Sequence, residues 1–214
     1  MVKNLKLQKP KILEEPELME APEEYIDSVD SLRDKLIENT ILENKDFRGF
    51  SFDSCIFRRV VFINCDFSRV DMIDCIFEGC DLSNASFSGG SIHRVEFIGS
   101  KLVGARFDES NIKDVLMERV SGRYLNLSFS KVKGLHFIDS DLQGGIFQEV
   151  KKEGLLFRDT NLTNGYFNKT PLNKVDFTTC NIAGIDVEIE NLKGAEVTAL
   201  QALELTRLMG LIVK

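Results

Sequence analysis

Counting along the chain from Leu42, every fifth residue is hydrophobic. The series Leu42, Phe47, Phe52, Phe57, Phe62, Phe67, Met72, Phe77 runs in unbroken phase to Val197, thirty-two positions of which only Gly122 and Lys152 are not apolar. Fourteen of the sixteen Phe fall on this register. The position two residues earlier is small or β-branched, as in Cys55, Val60, Cys65, Val70, Cys75, Cys80, Ala85, Gly90 and Val95. The other three positions of each five are mostly polar. A period of five matches neither a helix nor a flat strand. It predicts a chain that turns a corner every five residues, so that four corners close a square coil of twenty. Phe prefers alternate units, which places it on two opposite faces of such a coil, stacked rung upon rung.

A solenoid has two open ends that need covering. Before the register, Pro22 at a first helical position with Glu23 and Glu24 behind it suits a helix N-terminus. Tyr25, Val29, Leu32 and Leu36 follow at helical spacing, which predicts a capping helix over 22–38. Residues 1–20 lack periodicity and carry Pro10 and Pro16, so a segment either extended against the coil or loosely ordered is expected. After the register, Thr198 and Gln201 form a capping-box pair and Gly210 a helix stop. Leu200, Leu203, Leu205, Leu208 and Met209 wrap more than one face of that helix, and Leu211, Ile212 and Val213 continue as a short strand. One helix cannot bury all of these against one coil end, which leaves a tight cap with a few exposed apolar residues or, the reading preferred, an interface between two copies of the chain. The domain reading is therefore 1–39 extension and cap, 40–197 coil, and 198–214 dimerisation module.

Charge and composition narrow the function. The chain has 214 residues and a net charge of −7, against a phosphate-backbone binder with its concentrated basic surface. No apolar run approaches a membrane span, and the N-terminus lacks the apolar core of a secretory signal, so a soluble cytoplasmic protein is expected. All five Cys (55, 65, 75, 80 and 180) sit at the small inward position, as core residues rather than metal ligands. His93 and His136 fall at outward positions on different faces, and no Ser has a plausible His relay. No enzyme, cofactor, metal or small-molecule substrate is expected.

Units such as Cys65-Asp66-Phe67-Ser68-Arg69, Cys80-Asp81-Leu82-Ser83-Asn84 and Thr160-Asn161-Leu162-Thr163-Asn164 resemble the A(D/N)LXX unit of pentapeptide repeat proteins. That resemblance covers about residues 40–197 and implies an all-β solenoid, a right-handed quadrilateral β-helix of about eight coils. The ending from Asn191 to Val213 is similar to the C-terminus of Qnr-type proteins, pentapeptide repeat proteins that protect DNA gyrase from quinolones. The uninterrupted register resembles the loop-less Qnr-like proteins of Gram-positive bacteria. The resemblance implies a cytoplasmic homodimer that binds DNA gyrase or topoisomerase IV by imitating DNA, without itself binding nucleic acid or membrane. Between Asp66 and Asp81 five acids stand against one Arg: Asp66, Asp71, Asp74, Glu78 and Asp81 are the candidate partner-binding surface, expected to point outward. Two other readings stay open: a structural or regulatory scaffold for an unrelated protein, and self-immunity against a gyrase-poisoning toxin.

Overall fold

The structure, a computed structural model, describes residues 6–12 and 15–211. Its strands are β1 (Glu17–Leu18), β2 (Ser31–Arg33), β3 (Lys35–Glu38), β4 (Ile41–Glu43), β5 (Ser51–Asp53), β6 (Ile56–Arg58) and β7 (Val61–Ile63). Five longer ones follow: β8 (Asp71–Glu78), β9 (Ser91–Ile98), β10 (Asn111–Glu118), β11 (Lys131–Ile138) and β12 (Lys151–Arg158). Helix α1 (Pro22–Ile26) precedes the coil and α2 (Ala199–Leu205) follows it.

Every strand from β2 to β11 pairs in parallel with the residues twenty further on, as Met72 with Ile92 and Ile112 with Val132. The chain is thus a four-sided parallel solenoid, a right-handed quadrilateral β-helix. The first face carries β2, β5 and the opening halves of β8–β12. The second carries β3, β6 and their closing halves. The third begins with β4 paired to β7 and continues, like the fourth, in single bridges such as Asp81↔Lys101 and Asp66↔Ser86.

The corners are backbone features. From Asp34 to Lys174 every fifth residue has a left-handed φ, most of them not glycine. Each non-glycine corner costs on the order of 1–2 kcal/mol. A fully buried Phe contributes roughly 1.5–3 kcal/mol, so the inward residue of each unit outweighs its corner. At two places along the coil the corner position holds a β-branched residue, Thr179 and Ile189, and there the backbone does not enter the left-handed region. Glycine is required where a neighbouring rung lies over the corner. A Cβ on Gly144 would stand 2.7 Å from the ring of Tyr124, and one on Gly104 2.6 Å from Asn84 Oδ1.

Inside, the Phe rings stack by rungs. Phe47, Phe67, Phe87 and Phe107 lie face to face at 4.7, 4.9 and 4.6 Å on one side. Phe57, Phe77 and Phe97 do so at 4.7 and 5.0 Å on the opposite side. The stacks break at Met117 and Leu127 and resume at Phe137 and Phe147. In that central coil the missing side chain of Gly122 is replaced by Leu142, whose Cδ2 comes to 2.7 Å of where a Cβ would be, with Leu125 beside it. Lys152 stays half-buried and donates from Nζ to the Asn173 carbonyl at 2.9 Å; burial, then Lys174, holds its pKa below the usual lysine range.

The N-terminal end differs from the expected 22–38 helix. Helix α1 stops at Ile26, and residues 31–38 already form strands β2 and β3. Leu32 and Ile37 are buried members of the five-residue register, which begins two units before Leu42. The coil therefore starts at Ser31 rather than at residue 40.

Candidate functional site

The five acids between Asp66 and Asp81 do not form one patch. Fifteen residues are three sides of a square, so the coil wraps them around itself. Asp66 lies on the fourth face, Asp71 on the first, Asp74 at the corner after it, Glu78 on the second face and Asp81 on the third. Nor are they free. Asp66 accepts from Ser68 Oγ at 2.6 Å and stands 3.9 Å from Arg48. Glu78 pairs with Arg58 at 3.0 Å, and Asp81 with Lys101 at 3.4 Å while accepting from Ser83 Oγ at 2.6 Å. Asp71 alone of the five has an exposed side chain without a partner among the described residues.

Asp74 corrects the outward expectation directly, because it is buried. Arg94 donates to both its oxygens at 2.6 Å, and the Lys11 backbone N–H donates to Oδ1 at 2.8 Å. Burial raises its pKa, but these three donors and their charge prevail and hold the carboxyl below the usual carboxylate range. Two coils on, Asp114 Oδ1 accepts from the Gln8 N–H at 3.3 Å. Two carboxylates two rungs apart thus grip the extended segment 6–12 along the outside of the rod. Beyond it, β1 adds to the edge of β3, with Lys35 paired to Glu17.

The predicted dimer residues divide into two sets. Leu205 and Leu208 pack against the chain's own core. Leu200 (77% exposed), Leu203, Met209 (61%) and Leu211 project from the end of the rod. Ile212 and Val213 lie outside the described residues. Helix α2 is fixed to the last coil by Gln201. Its N–H and carboxamide complete the capping box with Thr198, and its Nε2 donates to the Phe177 and Cys180 carbonyls, each at 2.8 Å. After Leu205 the helix tightens into a 3-10 turn and ends at Gly210, φ 70°. The role of Gln201 beyond its cap was readable only once the coil end above it was known.

The cysteines are buried and free, and each of the first four does more than fill space. Cys75 Sγ meets the Phe52 and Ile73 carbonyls at 3.5 and 3.3 Å, and Cys55, Cys65 and Cys80 repeat the pattern. Ser100 and Ser110 take the same role with hydroxyls. Burial pushes the Cys80 thiol up to about 11 and raises Cys65, Cys75 and Cys180. Among the described residues no His, Cys, Asp and Glu group is arranged to hold a metal ion, and no helix is long and apolar enough to cross a membrane.

A second charged region was not anticipated. The lower part of the first face carries Lys113, Lys131, Lys133 and Lys151 around a groove of about 320 Å³. The signal was present as lysines at the outward positions of three successive rungs.

Comparison with known proteins agrees with the coil. Residues 70–147 match the model of the pentapeptide repeat region, and residues 25–107 match that of the SV2A/B/C luminal domain. No curated protein sequence matches the chain. Among solved structures, QnrB1, a plasmid-mediated fluoroquinolone resistance protein, is 23% identical over 86% of this chain and 97% of its own, with a TM-score of 0.48. HetL, involved in heterocyst differentiation regulation in the cyanobacterium Nostoc, is 14% identical over 80% and 91%, with a TM-score of 0.31. A thylakoid-lumen protein of Arabidopsis thaliana is 21% identical over 53% and 69%, with a TM-score of 0.18. The five-residue register and the twenty-residue parallel rungs agree with the pentapeptide repeat region that this chain carries over residues 70–147.

Proposed function

We propose that the protein is a non-enzymatic docking rod that engages DNA gyrase or topoisomerase IV as a homodimer and lessens the action of quinolones. The observation that carries this reading is the C-terminal end. A well-fastened cap presents Leu200, Leu203 and Met209 outward, in the segment that resembles the Qnr-type terminus. Eight rungs at ~4.8 Å give a rod of about 40 Å, and joining two by their C-terminal ends roughly doubles it. A rod of that length with charged sides suits a long enzyme groove that normally receives DNA. The acids act there as a dispersed field, with Asp71 and Glu78 the exposed members of the original five. Cytoplasmic residence belongs to the same reading.

The test is DNA supercoiling by purified gyrase with ciprofloxacin, at several ratios of the protein. Partial recovery of supercoiling, weakening as salt screens exposed charge over about 8–10 Å, is expected. Unchanged inhibition and unchanged cleavage at every ratio would refute the topoisomerase reading and leave the scaffold role.

A further inference from the structure

The lower first face carries an arrangement that neither the fold nor the topoisomerase reading requires. In a parallel sheet, identical outward positions of successive rungs stand about 4.8 Å apart, and like charges placed opposite each other destabilise the pair. This face nevertheless sets Lys113 opposite Lys133 and Lys131 opposite Lys151. All four are exposed. Lys133 has one distant acid, Glu153 at 3.9 Å; Lys113, Lys131 and Lys151 have no ion pair among the described residues. Elsewhere such charges are compensated: Arg58 stands beside Glu38 and Glu78, Asp81 beside Lys101 and Glu149 beside Lys169, and Asp46 opposite Asp66 shares Arg48 with it. The lysine rungs are therefore an exception to the chain's own rule. The neighbouring His93 has its pKa lowered by burial and then by Arg94 and Lys113.

The rim adds a second observation. Phe129, half-exposed, occupies the corner that leads into Lys131 with φ 62°. A bulky aromatic in the left-handed region is an unfavourable choice for a solvent-facing corner. It also gives the lysine face an apolar contact of the kind found at the centre of protein interfaces.

We propose that this face, centred on Lys113, Lys131, Lys133 and Lys151 with Phe129 at its rim, is a docking site for an acidic polypeptide segment of a partner protein. The basic strip is one face wide, about three residues or 10 Å, and is flanked at the corner by Glu109 and Glu149. A nucleic-acid duplex is wider than that and would bring those carboxylates against phosphates. A single strand stacks successive bases on successive aromatic side chains, whereas this face offers the single Phe129 ring at its rim. An extended peptide running along the rod axis fits the strip. Its alternate side chains lie about 6.7 Å apart, so two or three carboxylates match the roughly 10 Å between rungs β10 and β12.

The proposal stands apart from the topoisomerase reading, and its test contains no topoisomerase. A fluorescein-labelled decaglutamate peptide is titrated with the full chain at low salt and followed by anisotropy. Saturable binding is expected, falling as salt rises. The quadruple variant Lys113→Gln, Lys131→Gln, Lys133→Gln and Lys151→Gln should weaken it at least tenfold. Lys101→Gln with Arg123→Gln, on the third face, should leave it within twofold. If the quadruple variant fails to fold by circular dichroism, the pair Lys131→Gln and Lys151→Gln decides, with at least a threefold loss expected. No binding by the wild-type chain, equal loss in the third-face variant, or tighter binding of a ten-nucleotide single strand under the same salt would overturn the proposal.

Discussion

The two ends of the rod solve the same problem differently. Both must cover the open edge of a parallel coil and the last exposed core residues. At the N-terminal end the chain closes itself. Ile26 plugs the core, β1 pairs with the edge of β3, and Lys45 ties α1 down through the Glu23 carbonyl and Asp27. The outward side of α1 is acidic, with Glu23 and Glu24 in its first turn. At the C-terminal end Gln201 provides the polar fastening, but the outward side of α2 is Leu200 and Leu203, with Met209 beyond. A terminus finished for water shows charge. This one is fastened by Gln201 and remains apolar, as the proposed interface between two copies requires.

The sharpest way to break the contrast is to unplug the closed end. Ile26→Ala deletes a buried side chain and should cost about 2–5 kcal/mol of stability, read as a shift in the denaturant midpoint. Leu200→Ala, at the open end, should leave the monomer's stability almost unchanged. A midpoint shift for Leu200→Ala as large as that for Ile26→Ala would mean that the C-terminal end is an ordinary cap. Next in size is the fastening itself. Gln201→Ala strands the Phe177 and Cys180 carbonyls and removes half of the capping box, for about 1–3 kcal/mol. Increased hydrogen exchange should be confined to residues 198–210; equal exchange throughout the coil would contradict a local lock.

A smaller effect is expected at the segment gripped by Asp74. Its folded-state pKa lies below that of the unfolded chain, near 3.9. The contribution of the pair with Arg94 is therefore complete above about pH 4 and is lost as pH falls through the lower folded value. Asp74→Ala at neutral pH should speed exchange of the Lys11 amide, with little change elsewhere. No change at Lys11 would show that the segment is held by other contacts.

How much of this was legible follows from which signals repeat. The register, the inward cysteines and the two Phe stacks could be read because thirty-two units state the same rule. The N-terminal boundary was obscured because Tyr25, Val29, Leu32 and Leu36 imitate a helix, while Leu32 and Ile37 also keep the five-residue phase. The longer-range rule was the physical one, since each rung adds burial that a short surface helix cannot match. The acidic cluster misled for a related reason. Residues close in sequence share a side of a helix or strand, but in a square coil the sixteen residues from Asp66 to Asp81 visit four faces. Neighbours on the surface are twenty apart, so the lysine face is visible only when the sequence is written in rows of twenty.

The corners sharpen the same point. Asn164 is left-handed, φ 56°, whereas the corner at Thr179 is not. Asn164→Val should cost on the order of 1–2 kcal/mol through strain at that corner. Thr179→Val should cost less, losing only the hydroxyl's bond from the Asp159 N–H. Equal costs would mean that corner geometry does not select residue type.

The claim that the C-terminal end is an interface is tested most directly by the mass of the protein in solution. Light scattering on a gel-filtration column at micromolar concentration should give about twice the chain mass of 24.2 kDa for the wild type. Met209→Asp places a carboxylate in the exposed apolar set without touching the packed Leu205 and Leu208, and should give a folded monomer. A wild-type monomer, or a dimer indifferent to Met209→Asp, would contradict the account.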